Sequence, residues 1–371
     1  MSALLLHVED PGAVNVIAPL ADPLRRAGHT VRLLAASPVQ NYLADRGLGF
    51  DGAGDDPAQA FDGAQPDLLL VGTSENPRGP GLAMIDAARD RHVPSIGAID
   101  MLANAANRFR GLGVSPLGHA PDWLAVPDAP TAEAYAALGF DAERIVTCGH
   151  PHYDVVRARR AALEAEPLLE RRAMLFPDVG HETPIVVFLA EAVDQLDPSA
   201  SRVGSDCAFS LLGESNDRTT VILNAVLDVL ETHPVKPHVI LRLHPKNGEN
   251  DYAGLRGRIN RISRGGDPLD LIGCADLVIG MTTFLLVEAS LLGRATLSVL
   301  PRAEEAAWLP TTAGGVTPVA TTPGDLRSLL GEALAGGTVD GKAFEDLMPS
   351  GAAGRYVDLV QGLLRQQVSA A

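Results

Sequence analysis

Cysteine is scarce. The 371 residues hold only Cys148, Cys207 and Cys274, far apart and with no CxxC pair. Such a set excludes a disulfide framework and a cysteine-based zinc site, and it leads us to expect a reducing, cytoplasmic compartment. Aromatic residues are only 4% of the chain, too few for a base-stacking or sugar-stacking platform. Positive charge is also short: 30 Lys and Arg face 46 Asp and Glu, a net charge of −16. A surface of that sign repels phosphate backbones and anionic lipid, so no nucleic-acid partner is expected. Long apolar runs are missing as well. The run 3–6 stops at His7, Glu9 and Asp10, too soon for a secretory signal. No stretch approaches the ~20 apolar residues that cross a bilayer, so no stable membrane insertion is expected. There is no GxGxxG after the first strand, no GxxxxGK[ST] and no GxSxG. These gaps disfavour a nicotinamide dehydrogenase, a P-loop enzyme and an α/β hydrolase.

What remains is a chain that is 46% hydrophobic and long enough for two domains. Short apolar runs alternate with amphipathic stretches throughout. The runs 4–8, 31–35, 67–72, 95–99, 123–126 and 144–148 read as buried parallel strands. Residues 15–27, 81–90 and 130–138 read as the helices between them. A charged helical stretch, 155–174, leads to a breaker-rich segment at 176–180 that we take as the linker. The grammar then restarts with strands at 185–190, 238–243, 276–280 and 296–299. Helices follow at 219–232, 283–292, 324–335 and 355–366. The expected architecture is α/β, with two doubly wound, Rossmann-like domains around a cleft. Residues 1–175 form the first domain, 181–350 the second, and 351–371 a helix packing back on the first. Residues 191–218 show no period and are read as either a mobile insertion or a substrate-gating loop.

Ligands of such sheets sit at the carboxyl ends of the strands. In Leu241-Arg242-Leu243-His244-Pro245-Lys246, His244 and Lys246 can donate to phosphate oxygens, and Pro245 stiffens the turn. Arg242 should face away and be structural. Around Met281, Thr282 or Thr283 stands where a helix N-cap belongs. The helix start and the two hydroxyls make a phosphate site, and Glu288 can accept from ribose hydroxyls. At the first strand's end lie Glu9, Asp10, Gly12 and Asn15. Either acid serves as a general base if burial raises its pKa, and Gly12 permits close backbone approach. Thr73, Ser74 and Glu75 follow another strand. Asp100, a second candidate base, and Arg108, which suits an acidic group, follow the next. His150, His152 and Asp154 have a ligand-like spacing, but a hinge explains them better, so no metal is expected.

Together, three stretches resemble the GT-B glycosyltransferase superfamily, including its UDP-N-acetylglucosamine 2-epimerase branch. They are Pro121-Asp-Trp-Leu-Ala-Val-Pro…Arg144-Ile-Val-Thr-Cys-Gly-His-Pro, Leu241-Arg-Leu-His-Pro, and Ala275-Asp-Leu-Val-Ile-Gly-Met-Thr-Thr…Glu288-Ala. The resemblance implies that Thr282 and Thr283 hold donor phosphates and that Glu288 holds the ribose. His244-Pro245 is similar to the HP element of CDP-glycerol glycerophosphotransferases and bacterial sialyltransferases, where the His contacts the leaving phosphate. The opening, with Asp100 and Arg108-Phe109, is similar to poorly characterised polysaccharide-biosynthesis proteins. The epimerase branch opens with Gly-Thr-Arg-Pro-Glu, whereas Glu9-Asp10-Pro11-Gly12 stands here. The implied function is a metal-independent glycosyltransferase using a nucleotide-sugar substrate and no further cofactor. Donor contacts are His244, Pro245, Lys246, Met281, Thr282, Thr283 and Glu288. Acceptor contacts are Gly12, Asn15, Thr73, Ser74, Glu75 and Arg108. Asp10, Glu9, Asp100 and His244 are the catalytic candidates. The acidity favours a soluble small-molecule or protein acceptor. A hydrolysing nucleotide-sugar 2-epimerase and a non-catalytic nucleotide-binding scaffold are the alternatives.

Overall fold

The computed structural model describes residues 1–44, 46–52, 56–72, 74–192, 202–204, 207–211, 215–336, 345 and 347–370. The chain forms two compact units. Unit 1 comprises residues 1–155 and 348–371; unit 2 comprises 156–347.

Unit 1 is built on β1 (Ala3–Val8), β2 (Thr30–Ala35), β3 (Asp51–Gly52), β4 (Leu68–Gly72), β5 (Ser95–Ala98), β6 (Trp123–Val126) and β7 (Ile145–Thr147). They form a seven-stranded sheet in the order β3-β2-β1-β4-β5-β6-β7. Every pairing is parallel. Alternation sends β1 side chains to two cores. Leu4, Leu6 and Val8 join the helices Pro11–Ile17 and Ala21–Arg26 on one face, and Leu5 meets the helix Pro80–Asp90 on the other. Burial on both faces explains why these strands read as unbroken apolar runs. Gly72 allows the helix Pro11–Ile17 to lie close on β4, since a Cβ there would stand 2.5 Å from the Ala13 Cβ.

Unit 2 repeats the plan. β8 (Ile185–Leu189), β9 (His238–Arg242), β10 (Arg261–Ser263), β11 (Leu277–Gly280), β12 (Ala295–Val299) and β13 (Val319–Ala320) stand in the order β10-β9-β8-β11-β12-β13. In both sheets the first strand lies beside the fourth, and chain connections leave that junction in opposite directions. This is the doubly wound order with its switch point at β1/β4 and again at β8/β11.

Several elements depart from the sequence expectation for local reasons. The helix read at 15–27 is three pieces, Pro11–Ile17, a 3-10 turn Ala18–Leu20, and Ala21–Arg26. Pro19 and Pro23 remove two backbone donors from it. β3, β10 and β13 are sheet-edge strands of two or three residues, partly solvated and too short for a period. The 155–174 stretch is two helices, Pro151–Glu164 and Leu168–Leu175, broken at Pro167. The division between units falls inside the first of these, not at 176–180. The reason lies in the arginines. Arg159 pairs with Asp270, Arg172 pairs with Asp276 at 2.7 Å, and Arg172 Nε donates to the Cys274 carbonyl at 2.9 Å. The charged stretch is therefore fastened to unit 2.

The final helix, Ala352–Ala370, belongs to unit 1. Tyr356, Val360, Leu363 and Leu364 line one helical face and fill the β1-side core. Its start is capped from a distant point in sequence: Asp154 accepts from the Gly351 and Ala353 N–H groups at 2.9 and 3.2 Å. Of the 191–218 segment, Val203 and Phe209 are buried in the unit 2 core, and an antiparallel bridge joins Arg202 to Asp217. Residues 193–201, 205–206 and 212–214 lie outside the described residues. Among the described residues, no helix is long and apolar enough to cross a membrane.

Replacing Asp154 with Ala should cost about 1 kcal/mol, as loss of a capping carboxylate does. Urea unfolding measures the cost, and faster amide exchange in the first turn of Ala352–Ala370 locates it. Unchanged exchange there would show that the cap is dispensable.

Candidate functional site

In unit 1 the polar residues gather at the switch point. Glu9 directly follows β1 and is buried. Its Oε1 accepts the Ser74 N–H at 2.7 Å and the Ser74 hydroxyl at 2.6 Å, and its Oε2 accepts the Gly81 N–H at 2.7 Å. The carboxylate thus ties the turn after β4 to the first turn of the helix Pro80–Asp90, where the helix dipole also favours it. These three bonds make Glu9 an anchor for both turns.

Asp10 is the N-cap of the helix Pro11–Ile17, with Pro11 at the first helical position. Its Oδ1 accepts the Ala13 N–H at 2.7 Å. Asp100, beyond β5, forms a buried ion pair with Arg108 at 2.5 Å. Gly12 lies between the two acids. A Cβ there would stand 2.1 Å from Asp100 Oδ2 and 3.5 Å from Asp10 Oδ1, so only glycine lets both carboxyls converge. Burial and then the Asp100 charge push the Asp10 pKa up to about 7, against the pull of the Ala13 N–H and Arg108. The Arg108 guanidinium is held above its ordinary pKa: burial works against it, but Asp100, Tyr135, Asp10 and Glu75 outweigh that. Asp100 and Arg108 are thus spent on each other, and Asp10 is the acid poised near neutrality. Asn15 accepts from the Tyr42 hydroxyl at 3.1 Å. Glu75 is half-buried. Thr73 lies outside the described residues.

In unit 2 the arrangement recurs. Glu191 lies just past β8 and is buried. It accepts from the Thr282 N–H, and the Thr282 hydroxyl lies 3.1 and 3.2 Å from its two oxygens. Thr283 caps the helix Phe284–Leu291, its Oγ1 accepting the Leu285 N–H at 3.4 Å. Glu288 is buried on that helix, and the Met281 side chain is packed in the core. Past β9, on the other side of β8 from β11, His244 Nδ1 accepts the Lys246 N–H at 3.2 Å, which puts the ring proton on Nε2. Burial, then Lys246, lowers the His244 pKa, so at neutral pH it is an uncharged donor. Pro245 and Lys246 are exposed. Buried Asn247 donates to the Glu191 carbonyl at 2.7 Å, joining the His244 turn to the end of β8. Arg242 donates to the Ser263 hydroxyl and to the carbonyls of Gly265 and Gly266, a structural use.

The 148–154 segment, which runs into the helix Pro151–Glu164, is also committed to structure. His150 is buried, stacks on Tyr153 at 4.4 Å, and is pushed down to about 3, chiefly by burial and then by His152. Among the described residues, no group of three His, Cys, Asp or Glu is placed to hold a metal ion.

Sequence reasoning missed Glu191 and the charges behind it. Arg218, fully buried, pairs with Glu305 and stands 3.7 Å from Glu191, while Arg302 meets Glu305 at 2.6 Å. A usable signal was there: Glu191 follows a strand end as Glu9 does.

No family model matches the chain, and no curated protein matches it. Solved structures match over nearly the whole length. UDP-GlcNAc 2-epimerase from Neisseria meningitidis, bound to UDP-GlcNAc, is 13% identical with a TM-score of 0.66, covering 98% of this chain and 99% of that one. MnaA of S. aureus, solved with UDP, is 13% identical with a TM-score of 0.68, covering 98% and 97%. The wall teichoic acid polymerase TagF is 14% identical with a TM-score of 0.58, covering 99% and 90%. The chain has the GT-B fold. Its two parallel sheets with their helices are the two Rossmann-like units of that fold. Identity this low carries the fold and leaves the activity to be argued from the sites.

The Asp10 pKa has a consequence for stability. It is about 7 in the fold and near 4 in an unfolded chain. The native state holds the extra proton between those values, so Asp10 favours folding below pH ~4 and loses that contribution as pH rises through 7. Asp10→Asn keeps the cap and removes the loss. From pH 5 to pH 8 the variant should gain on the order of 2 kcal/mol over the parent in urea unfolding. Buried His7 and His150, pushed down to about 4 and about 3, act oppositely and cost stability as pH falls below ~6.5. They are common to both proteins and cancel in the difference. A difference that does not vary with pH refutes the Asp10 assignment.

Proposed function

We propose that the protein is a metal-independent glycosyltransferase that moves a sugar from a nucleotide-activated donor to a hydroxyl acceptor in glycan or glycoconjugate biosynthesis. The observation that carries this reading is Asp10: a carboxyl at a switch point with a pKa pushed up to about 7. In this reading unit 1 takes the acceptor and unit 2 the nucleotide. Asp10 accepts the hydroxyl proton as the acceptor oxygen bonds to the anomeric carbon and the sugar–phosphate bond breaks. The departing nucleotide leaves with added negative charge. The His244 Nε2–H, the helix start at Thr283 and the Lys246 ammonium meet that charge. Glu288 serves the ribose.

A second reading, a hydrolysing nucleotide-sugar 2-epimerase, is favoured by one observation. The UDP-GlcNAc 2-epimerase named above has a TM-score of 0.66, against 0.58 for TagF. The two readings part on the need for an acceptor. Incubation with UDP-, CDP-, GDP-, dTDP-, ADP- and CMP-sugars, alone and with a panel of hydroxyl acceptors, followed by mass spectrometry, separates them. Acceptor-dependent glycoside supports the transferase. A free 2-epimeric sugar from donor alone supports the epimerase. Nucleotide binding with no turnover on the whole panel leaves only a scaffold.

His244→Ala should lower kcat about 10²-fold with little change in KM, because its contact strengthens as the leaving group gains charge. An unchanged kcat rejects that role. Thr283→Ala combined with Glu288→Ala should abolish nucleotide binding measured by calorimetry, and retained binding would sink the donor site.

A further inference from the structure

The carboxylate on Thr282 takes the groups that a bound phosphate would need. The Thr282 N–H and hydroxyl, the groups a phosphate would use, are already given to Glu191. Two anions cannot share one N–H, and a phosphate a few ångströms from a carboxylate meets strong repulsion in a partly buried site. Yet Glu191 has somewhere else to go. Its Oε2 stands 3.7 Å from Arg218, near enough for charge attraction and too far for a hydrogen bond. Arg218 is itself held by Glu305, which Arg302 also holds at 2.6 Å. Among the described residues this set of two acids and two bases carries no net charge, and a shift of Glu191 toward Arg218 keeps both within it.

Unit 1 provides the contrast. Glu9 makes the equivalent bonds to Ser74, adds the Gly81 N–H, and has no cationic partner among the described residues. Glu9 is locked, whereas Glu191 has an alternative partner.

We propose that Glu191 is a resident counter-anion of the nucleotide site: it occupies Thr282 in the empty protein and yields to Arg218 when a nucleoside diphosphate arrives. The inference rests on the donor-site reading above. Its consequence is selectivity. Inorganic phosphate and pyrophosphate have only the anion contacts to offer and cannot displace Glu191 efficiently. A whole nucleotide brings further contacts that drive the exchange. After transfer, return of Glu191 to Thr282 helps expel the spent nucleotide.

The test is calorimetry on the full chain with UDP, CDP, GDP, dTDP, ADP and inorganic pyrophosphate, and with the nucleoside of whichever nucleotide binds. The proteins are the parent, Glu191→Gln and Glu191→Asp. Gln keeps the acceptor for Thr282 and removes the charge, so pyrophosphate and the preferred nucleotide should bind about tenfold tighter or more. The nucleoside should bind equally to both. Asp keeps the charge, so its diphosphate affinity should stay near that of the parent; a purely structural role would harm Asp and Gln alike. Equal or weaker diphosphate binding by Glu191→Gln overturns the inference while the donor site stands. Failure of every protein to bind any nucleotide or pyrophosphate overturns the donor site and the inference together.

Discussion

Each unit depends on one requirement, that the backbone donors freed at the switch point find an acceptor. There the chain leaves adjacent strands toward opposite faces, and the turns between strand and helix have N–H groups with no partner in the sheet. Both units meet the requirement with a glutamate just past the first strand. Glu9 takes the N–H and hydroxyl of Ser74, and Glu191 takes those of Thr282. Buried and hydrogen-bonded to the charged form, such carboxylates hold the turns more firmly than a neutral acceptor would. Around these fixed points stand the groups with chemical freedom, Asp10 in unit 1 and His244 in unit 2.

The two sites differ in how charge is balanced. In unit 1 Asp100 and Arg108 form an ion pair, and Asp10 lies beside it with no ion pair of its own among the described residues. Burial, and then the Asp100 charge, keep its proton on to near-neutral pH. In unit 2, among the described residues, Glu191, Arg218, Glu305 and Arg302 sum to zero. A neutral buried network costs less to retain than an unpaired charge, and it can rearrange internally.

Much of the fold is legible in the residues, because strands buried on both faces must be apolar throughout. Leu68 to Gly72 and Ile185 to Leu189 stand out for that reason. The edge strands at Asp51, Arg261 and Val319 are not legible, since half-solvated pairs of two or three residues carry no pattern. The candidate site divides the same way. Asp10, Thr283 and His244 can be picked out because each follows a strand or caps a helix, positions fixed by local sequence. Their states depend on residues far along the chain: Asp10 on Asp100, and Thr282 on Glu191, 91 positions away. Glu9 looks like a base by position alone, and only its three distant donors reveal an anchor.

The capping of Ala352–Ala370 by Asp154 also sets an order of events during synthesis. Unit 2 is continuous in sequence, whereas unit 1 needs Tyr356, Val360, Leu363 and Leu364 from the far end of the chain. On the ribosome, β1 to β7 emerge first and wait with the part of one apolar face that Ala352–Ala370 covers still open while all of unit 2 is made. At ribosomal speeds that interval is on the order of tens of seconds. The first half of the protein to be translated is therefore the last to be finished.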